Sequence, residues 1–320
     1  MAASALHETP LTLRIATRKS ALALAQTELV IAGLQQRSIT FEIVPITTKG
    51  DADQNRSLAV IGGDGVFVKE LMTALLDGRA DIAVHSLKDL PTEIPAALDA
   101  GVVLRREDAR DVLISPGNRY ASVEMLPQGA TVGTSSLRRE AQLRIRRPDL
   151  VIAPLRGNVD SRVRKVLNGD YDAALLALAG MKRLGLLATV GGGAALDYDT
   201  MVPAAGQGAL YVQCRADDTA TRALLSPLQD ASTARAVAME RSFLKRCGGG
   251  CVVPLGVHVE VDRAGWSLDA CIASTDGARF VRKHTRGSAS DAAEAIQQVE
   301  AVADEMLAAG GRQIIDGGSK

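Results

Sequence analysis

The chain has 320 residues, 37 Lys and Arg against 37 Asp and Glu, 47% apolar residues and 3% aromatics. That is enough apolar chain for two or three cored domains. No eighteen-residue apolar run marks a membrane helix, and the scarcity of aromatics leaves few platforms on which bases could stack. The four cysteines, Cys214, Cys247, Cys251 and Cys271, are too scattered for a disulfide scaffold and suit a reducing cytoplasm. They and the four histidines show no metal-ligand spacing, so no metal is expected. Residues 1–10 lack the apolar core of a signal peptide.

In chain order, residues 11–16 form an apolar strand that ends in Thr17-Arg18-Lys19-Ser20. The helix that follows places Leu22, Ala25, Leu29 and Ala32 on one face. Residues 41–47 form a second strand, ending in Thr48-Lys49-Gly50-Asp51. Residues 51–65 are polar and glycine-bearing and are expected to be a long mobile loop over a site. Within it, Gly62-Gly63-Asp64-Gly65 lacks the Lys-Ser or Lys-Thr of a phosphate-binding loop and reads as a hinge into the next helix. That helix, residues 66–76, buries Phe67, Leu71 and Leu75. Strand 82–84 runs into His85-Ser86-Leu87-Lys88-Asp89-Leu90-Pro91. Open α/β sheets place their ligands at such carboxyl ends of buried strands.

The plan then repeats. Strand 131–134 leads into a polar turn and helix 137–147, strand 151–155 leads to Arg156-Gly157, and helix 159–167 leads to Gly169-Asp170 and strand 173–177. Two such units in matching order imply two similar lobes facing across a cleft. Residues 203–208, Pro-Ala-Ala-Gly-Gln-Gly, lie where the chain crosses back before strand 209–213. Helix 231–246, three alternating strands (257–261, 267–273, 278–284) and a closing helix with Ile296, Val299, Ala303 and Met306 form an α+β domain of their own. The expected division is 10–106 plus 206–224 for the first lobe, 107–205 for the second and 229–320 for the third domain.

Charge is unevenly spread. Between Thr131 and Lys165 stand Arg138, Arg139, Arg144, Arg146, Arg147, Arg156, Arg162, Arg164 and Lys165, against Glu140, Asp149 and Asp160. In a neutral chain such a segment points to a localised anion. It begins with Gly133-Thr134-Ser135-Ser136-Leu137-Arg138-Arg139, hydroxyls at a helix N-terminus followed by two arginines. Taken alone this is an ordinary N-cap with exposed arginines, or an anion site built from free N–H groups and guanidinium forks. A small polycarboxylate suits it better than nucleic acid.

Asp89, between Lys88 and a proline, is a turn former or, in a basic cleft, a general acid/base and counter-ion to a cation. His85 points opposite to Ser86 and is expected to pack inside. Cys251 closes Cys247-Gly248-Gly249-Gly250-Cys251, an accessible thiol that is a nucleophile, a tether or a small apolar filler. No Gly-x-Ser-x-Gly elbow supports serine hydrolysis.

Residues 14–20 (Arg-Ile-Ala-Thr-Arg-Lys-Ser), 84–89 (Val-His-Ser-Leu-Lys-Asp), 133–139, 155–159 (Leu-Arg-Gly-Asn-Val), 203–208 and 249–251 (Gly-Gly-Cys) together resemble the porphobilinogen deaminase (hydroxymethylbilane synthase) family, in the family's order and across nearly the whole chain. The resemblance implies an α/β fold of two periplasmic-binding-protein-like lobes plus a smaller C-terminal α+β domain. It implies a dipyrromethane cofactor joined by a thioether to Cys251, and condensation of four porphobilinogen molecules with loss of ammonia before hydrolysis releases hydroxymethylbilane. Asp89 would hydrogen-bond pyrrole nitrogens, assist loss of ammonia and stabilise the azafulvene-like cation. Arg18, Ser20, Gln26, Ser86, Lys88, Thr134, Ser136, Arg138, Arg139, Arg156, Gly157 and Arg162 would bind cofactor or substrate. Many relatives carry a lysine where this chain has Asp64. A monomer with a small-molecule substrate, no nucleic acid and no membrane is expected. The competing reading is a non-catalytic two-lobed binding protein for a small organic polyanion, which would need neither Cys251 nor Asp89.

Overall fold

The computed structural model describes residues 11–35, 39–48, 65, 68–248, 254–288 and 291–317. Of the expected loop over 51–65 only Gly65 is among them; the rest of it, with Asp64, and the residues Phe67 and Cys251 lie outside the described residues.

Three sheets organise the chain. The first contains β1 (Leu11–Arg18), β2 (Ile39–Ile46), β3 (Ile82–Ser86), β4 (Ala100–Val103) and β10 (Leu210–Cys214), in the order β2-β1-β3-β10-β4. Helices α1 (Ala21–Leu34) and α2 (Lys69–Leu76) cover it. The second contains β5 (Asp111–Ile114), β6 (Thr131–Gly133), β7 (Val151–Ala153), β8 (Ala173–Ala177) and β9 (Ala194–Ala195), in the order β7-β6-β8-β5-β9. Its helices are α3 (Leu137–Arg146), α4 (Val159–Leu167) and α5 (Leu178–Arg183).

The two sheets share one plan. In each, the central strand is parallel to two neighbours, β1 to β2 and β3, and β6 to β7 and β8. In each, an antiparallel strand then separates the third parallel strand from the edge, β10 in the first and β5 in the second. The chain leaves the first sheet after β4, builds the second, and returns as β10 to fill the gap between β3 and β4. Helix α6 (Thr219–Leu225) packs near this return, and α7 (Ala231–Arg246) leads into the third sheet. There β11 (Leu255–Val261), β12 (Trp266–Ala273) and β13 (Phe280–Gly287) pair antiparallel against α7 and α8 (Ala292–Met306), with α9 (Arg312–Gly317) last. Its core is Met239, Phe243, Val257, Leu268, Ile272, Val299 and Met306. The edge strand β13 carries Arg282, Lys283 and Arg286, charges that discourage pairing with another chain.

The apolar runs that the sequence marks as strands are buried because both faces are covered. Ile82, Ala83 and Val84 are all buried, as are Ala173, Ala174 and Leu175. His85 is packed inside as expected; its Nε2 lies 3.1 Å from Gln213 Oε1, and burial holds its pKa down at about 4. The face of α1 differs from the expected one. Ala23, Gln26, Thr27, Val30 and Leu34 are buried, whereas Leu29 is 49% exposed. The helix is apolar on every side, so spacing alone selects no face. Two polar residues decide it: Thr27 donates to Thr17 Oγ1 at 2.9 Å, and Gln26 donates to Ser86 at 2.9 Å. Strands β4, β5 and β9 and helices α5 and α6 were not foreseen; they are short, and α5 continues the apolar run of β8 without a break.

Both connections between the lobes meet at one carboxylate. Glu240, in the middle of α7, is fully buried. It accepts from Arg106 Nη1 (2.6 Å) and Nη2 (3.1 Å) on the outgoing connection, from Gly206 N (2.6 Å) on the returning one, and from Val259 N (2.8 Å) in β11. His258 Nδ1 stands 3.4 Å away, under the ring of Tyr198. These donors hold the carboxyl of Glu240 down at about 2 despite burial, which opposes them. Gly206 has φ +71°, and a Cβ there would strike Leu87, two residues before Asp89. The crossing point and the turn that carries Asp89 are thus packed against each other.

A candidate active site between the two lobes

Strand β3 ends in Ser86, and a single 3-10 turn, Leu87–Asp89, follows. Leu87 is buried and anchors the turn, so that Lys88 and Asp89 are half-buried beside it. Ser86 lies against α1 through Gln26. Among the described residues the Asp89 carboxylate has no hydrogen-bond partner and no ion pair within 4 Å. Opposing cations come from the other lobe. Arg162, near the start of α4, has its pKa lowered to about 10, first by burial, then by Arg139 and Arg156, with Asp89 acting in the opposite sense. Lys88 is lowered to about 8, first by burial and then by Arg139, while Asp89 and Asp111 oppose and Arg138 adds to the fall. Lys88 and Asp89 from the first sheet therefore stand in electrostatic reach of Arg138, Arg139 and Arg162 from the second.

The second lobe's residues are held by its turns. Thr134 is buried, and its Oγ1 accepts from Ser136 N at 3.1 Å. Ser136 is the N-cap of α3 but makes no side-chain capping bond, so it leaves first-turn N–H groups open. Gly157 has φ +108°, a conformation suited to glycine. The turn it makes aims its carbonyl at Arg162 Nε, which donates to it at 2.7 Å. Lys165 Nζ donates to Arg156 O at 3.2 Å from behind. Among the described residues the Arg156 guanidinium makes no hydrogen bond or ion pair.

Arg138 and Arg139 occupy a different setting from the exposed first turn of an ordinary cap. Both are 6% exposed, and both are turned inward onto Asp111. Arg138 Nη1 donates to Asp111 Oδ2 at 2.7 Å, and Arg139 Nε and Nη2 donate to Oδ1 at 3.0 and 2.7 Å. The two guanidinium groups hold the Asp111 carboxyl far below the usual range against the opposing effect of burial. The basic segment divides accordingly. Arg144 pairs with Glu140, Arg146 with Glu124, Arg147 with Asp149, and Arg164 with Asp160. Arg156, Arg162 and Lys165 have no acid within ion-pair distance among the described residues. The sequence's excess of cations is thus largely neutralised in place, and its uncompensated part is concentrated at the cleft.

On the first lobe, Arg18 ends β1 and is half-buried, and Ser20 caps α1, its Oγ accepting from Ala23 N at 3.3 Å. Cys251 lies outside the described residues. The three described cysteines are free and buried, with the thiols of Cys247 and Cys271 pushed up to about 12 and 11 by burial. Two site residues escaped the sequence reading, Asp111 and Gln207. Gln207 is fully buried on the returning connection; it accepts from Lys88 Nζ at 3.2 Å and donates to Asp111 Oδ1 at 2.9 Å. Its place in the Gly-Gln-Gly run was the available signal. Among the described residues no His/Cys/Asp/Glu group is arranged to hold a metal, and no helix is long and apolar enough to cross a membrane.

This set, guanidinium groups without an acid partner and a carboxylate without a donor among the described residues, fits a ligand with several carboxylates and N–H groups to donate. Comparison with known proteins gives the same chemistry a name. Residues 13–223 match the family description "Porphobilinogen deaminase, dipyromethane cofactor binding domain", and residues 234–308 match "Porphobilinogen deaminase, C-terminal domain". The chain is 47% identical over 311 residues to porphobilinogen deaminase of Burkholderia thailandensis, covering 97% of this chain and 93% of that one. Solved structures with a similar backbone include the lipoprotein Tp32 from Treponema pallidum (TM-score 0.42, 14% identity, 70% of this chain and 92% of that one). Another is a probable amino-acid ABC transporter extracellular-binding protein from Bacillus subtilis (TM-score 0.41, 12% identity, 69% of this chain and 91% of that one).

Proposed function

Because the chain belongs to the porphobilinogen deaminase family, a family of tetrapyrrole-synthesis transferases, we propose that the cleft between its lobes is where four porphobilinogen molecules are condensed with loss of ammonia. Hydroxymethylbilane is then released by hydrolysis. The observation that carries this assignment is the Asp89 carboxylate, without a hydrogen-bond partner among the described residues, set opposite Arg162 and beside Lys88. A carboxylate so placed accepts the N–H of a pyrrole and lowers the energy of positive charge that develops on the substrate as ammonia leaves. Arg156, Arg162 and Lys88, with the open N–H groups around Ser136, bind acetate and propionate carboxylates. Arg18 and Ser20 do the same from the first lobe, and Thr134, Arg138 and Arg139 support the second. Gln26 and Ser86 orient the turn that carries Asp89, and Gly157 that of Arg162. A passive receptor for a polyanion gains nothing from a bare acid in a basic cleft.

The dipyrromethane cofactor, when bound, supplies the nucleophilic pyrrole that primes the chain. The free guanidinium groups suit its carboxylates, and Cys251 is the tether. Burial of Cys214, Cys247 and Cys271 supports that choice, since none of them offers an accessible thiolate. The protein acts as a monomer in the cytoplasm without nucleic acid, a reading supported by the internal pairing of most of the basic segment. Its domains are 10–106 plus 206–224, 107–205 and 229–320.

Asp89→Asn tests the assignment: the folded variant retains its melting temperature and loses roughly 10²–10⁴-fold in turnover. Turnover at the unmutated level removes Asp89 from the reaction. Intact mass tests the tether, since active protein exceeds its sequence mass by one dipyrromethane and Cys251→Ser does not.

A further inference from the structure

Asp111 opens β5, immediately after the chain enters the second lobe, and its side chain is fully buried. Its carboxylate receives Arg138 Nη1, Arg139 Nε and Nη2, and Gln207 Nε2. Each partner is fixed a second time. Arg138 Nη1 also donates to Val202 O at 2.7 Å, Arg139 Nη1 to Leu175 O at 3.0 Å, and Gln207 Nε2 to Ala109 O at 2.8 Å. Gln207 Oε1 then accepts from Lys88 Nζ in the first lobe. One hydrogen-bonded unit therefore runs from the turn after β3, through the returning connection, to the first turn of α3.

We propose that Asp111 is a positioning residue for the reaction, acting directly on Arg138 and Arg139 and through Gln207 on Lys88, so that carboxylate-binding cations of both lobes are set as one unit. This rests on the reading of Lys88 as a carboxylate-binding residue. Asp111 serves two cations, and through an amide it reaches a third on the other side of the cleft. Gln207 suits the link because it accepts at one end and donates at the other, joining an ammonium to a carboxylate without adding charge.

The charges around Lys88 give the relay a measurable sign. Asp89 on its own turn and Asp111 on β5 favour its ammonium form; Arg139 and Arg138 on α3, with burial, oppose it. Removing Asp111 removes one of two favourable charges, and removing Gln207 removes the acceptor. Either change makes Lys88 lose its proton at lower pH, and carboxylate binding weakens from the alkaline side.

The experiment is kcat and KM for porphobilinogen from pH 6 to 9 in the full-length holoenzyme, for Asp111→Asn, Gln207→Met and Lys88→Met. Lys88→Met raises KM about tenfold or more and flattens the alkaline limb, consistent with loss of a charged hydrogen bond. In Asp111→Asn and Gln207→Met the alkaline limb of kcat/KM moves acidward by roughly half a pH unit or more, with the rise in KM greatest above pH 8. If Asp111→Asn does not fold, Gln207→Met decides. A folded Asp111→Asn or Gln207→Met with the wild-type limb, beside a Lys88→Met that raises KM, overturns the relay alone. A Lys88→Met with wild-type KM overturns the reading of Lys88 and the relay with it.

Discussion

Two clusters of enclosed charge sit a short distance apart in this molecule, and they are built on opposite principles. At the junction of the connections, Glu240 is surrounded by donors from three separate chain segments, with Arg106 and His258 as its positive partners. In the cleft, among the described residues, Lys88, Arg138, Arg139, Arg156 and Arg162 stand against Asp89 and Asp111. In the first cluster each oxygen of Glu240 accepts two hydrogen bonds, so its contribution is to hold parts together. The second carries surplus positive charge, and the pKa values of Lys88 and Arg162 are lowered first by burial and then by the neighbouring arginines. Surplus charge of that kind in a cleft marks a place suited to an anion.

The contrast predicts opposite responses to mutation. The largest effect on folding belongs to Glu240→Ala, which strands Arg106 and two backbone N–H groups; breaking such a pair costs about 3–5 kcal/mol, read from urea unfolding. A loss below 1 kcal/mol would reduce the junction to ordinary packing. Arg156→Leu takes away a cation that has no partner to strand among the described residues. Its stability should be unchanged or higher, while KM for porphobilinogen rises by the equivalent of roughly 1.5–3 kcal/mol; a destabilised variant with normal KM would place Arg156 in the structural class.

The smallest effect is in the pH dependence of the junction. Glu240 is lowered in the folded state to about 2 from the ordinary 4.5, so its contribution is present above pH 4.5 and is lost as pH falls toward 2. His258 is raised, despite burial, by Glu240 and Glu260. Its contribution is full below its unfolded value of about 6.5 and is lost as pH rises through the folded value. His258→Gln should therefore flatten the decline in stability on the alkaline side and leave the acid side to Glu240. An unaltered alkaline slope would show that His258 does not titrate in that range.

Much of this was legible because burial follows simple patterns. Residues 231–246 read as one helix and form one, and the apolar runs at 82–84 and 173–177 fall inside β3 and β8. The repeat of strand, turn and helix announced two lobes of one plan. Asp89 stood out as an acid at a strand end among basic residues. What resisted reading was pairing at a distance. Asp111 precedes Val-Leu-Ile and looks like a turn residue, yet its partners lie 27 and 28 positions later. Glu240, beside Arg241 on a helix, looks like a surface acid, and its partner Arg106 is 134 positions away. The count of arginines in the basic segment could not distinguish those answered by a nearby acid from Arg156 and Arg162, which have none among the described residues. The inward face of α1 was likewise chosen by Thr17 and Ser86, residues of other strands.

The return of the chain as β10 has a consequence for how the protein is made. Strand β3 cannot acquire its second neighbour, nor β4 its inner one, until residues 210–214 exist. During synthesis from the N-terminus, the lobe that bears Asp89 waits half-zipped while more than a hundred residues of the next are produced. The later lobe, whose β5 through β9 are contiguous in the chain, has all its strands in hand first. The nascent polypeptide therefore completes its arginine-bearing half before its acid-bearing half, and a stalled chain whose second lobe has emerged while β10 is still in the ribosome's exit tunnel would hold a finished second lobe beside an unfinished first.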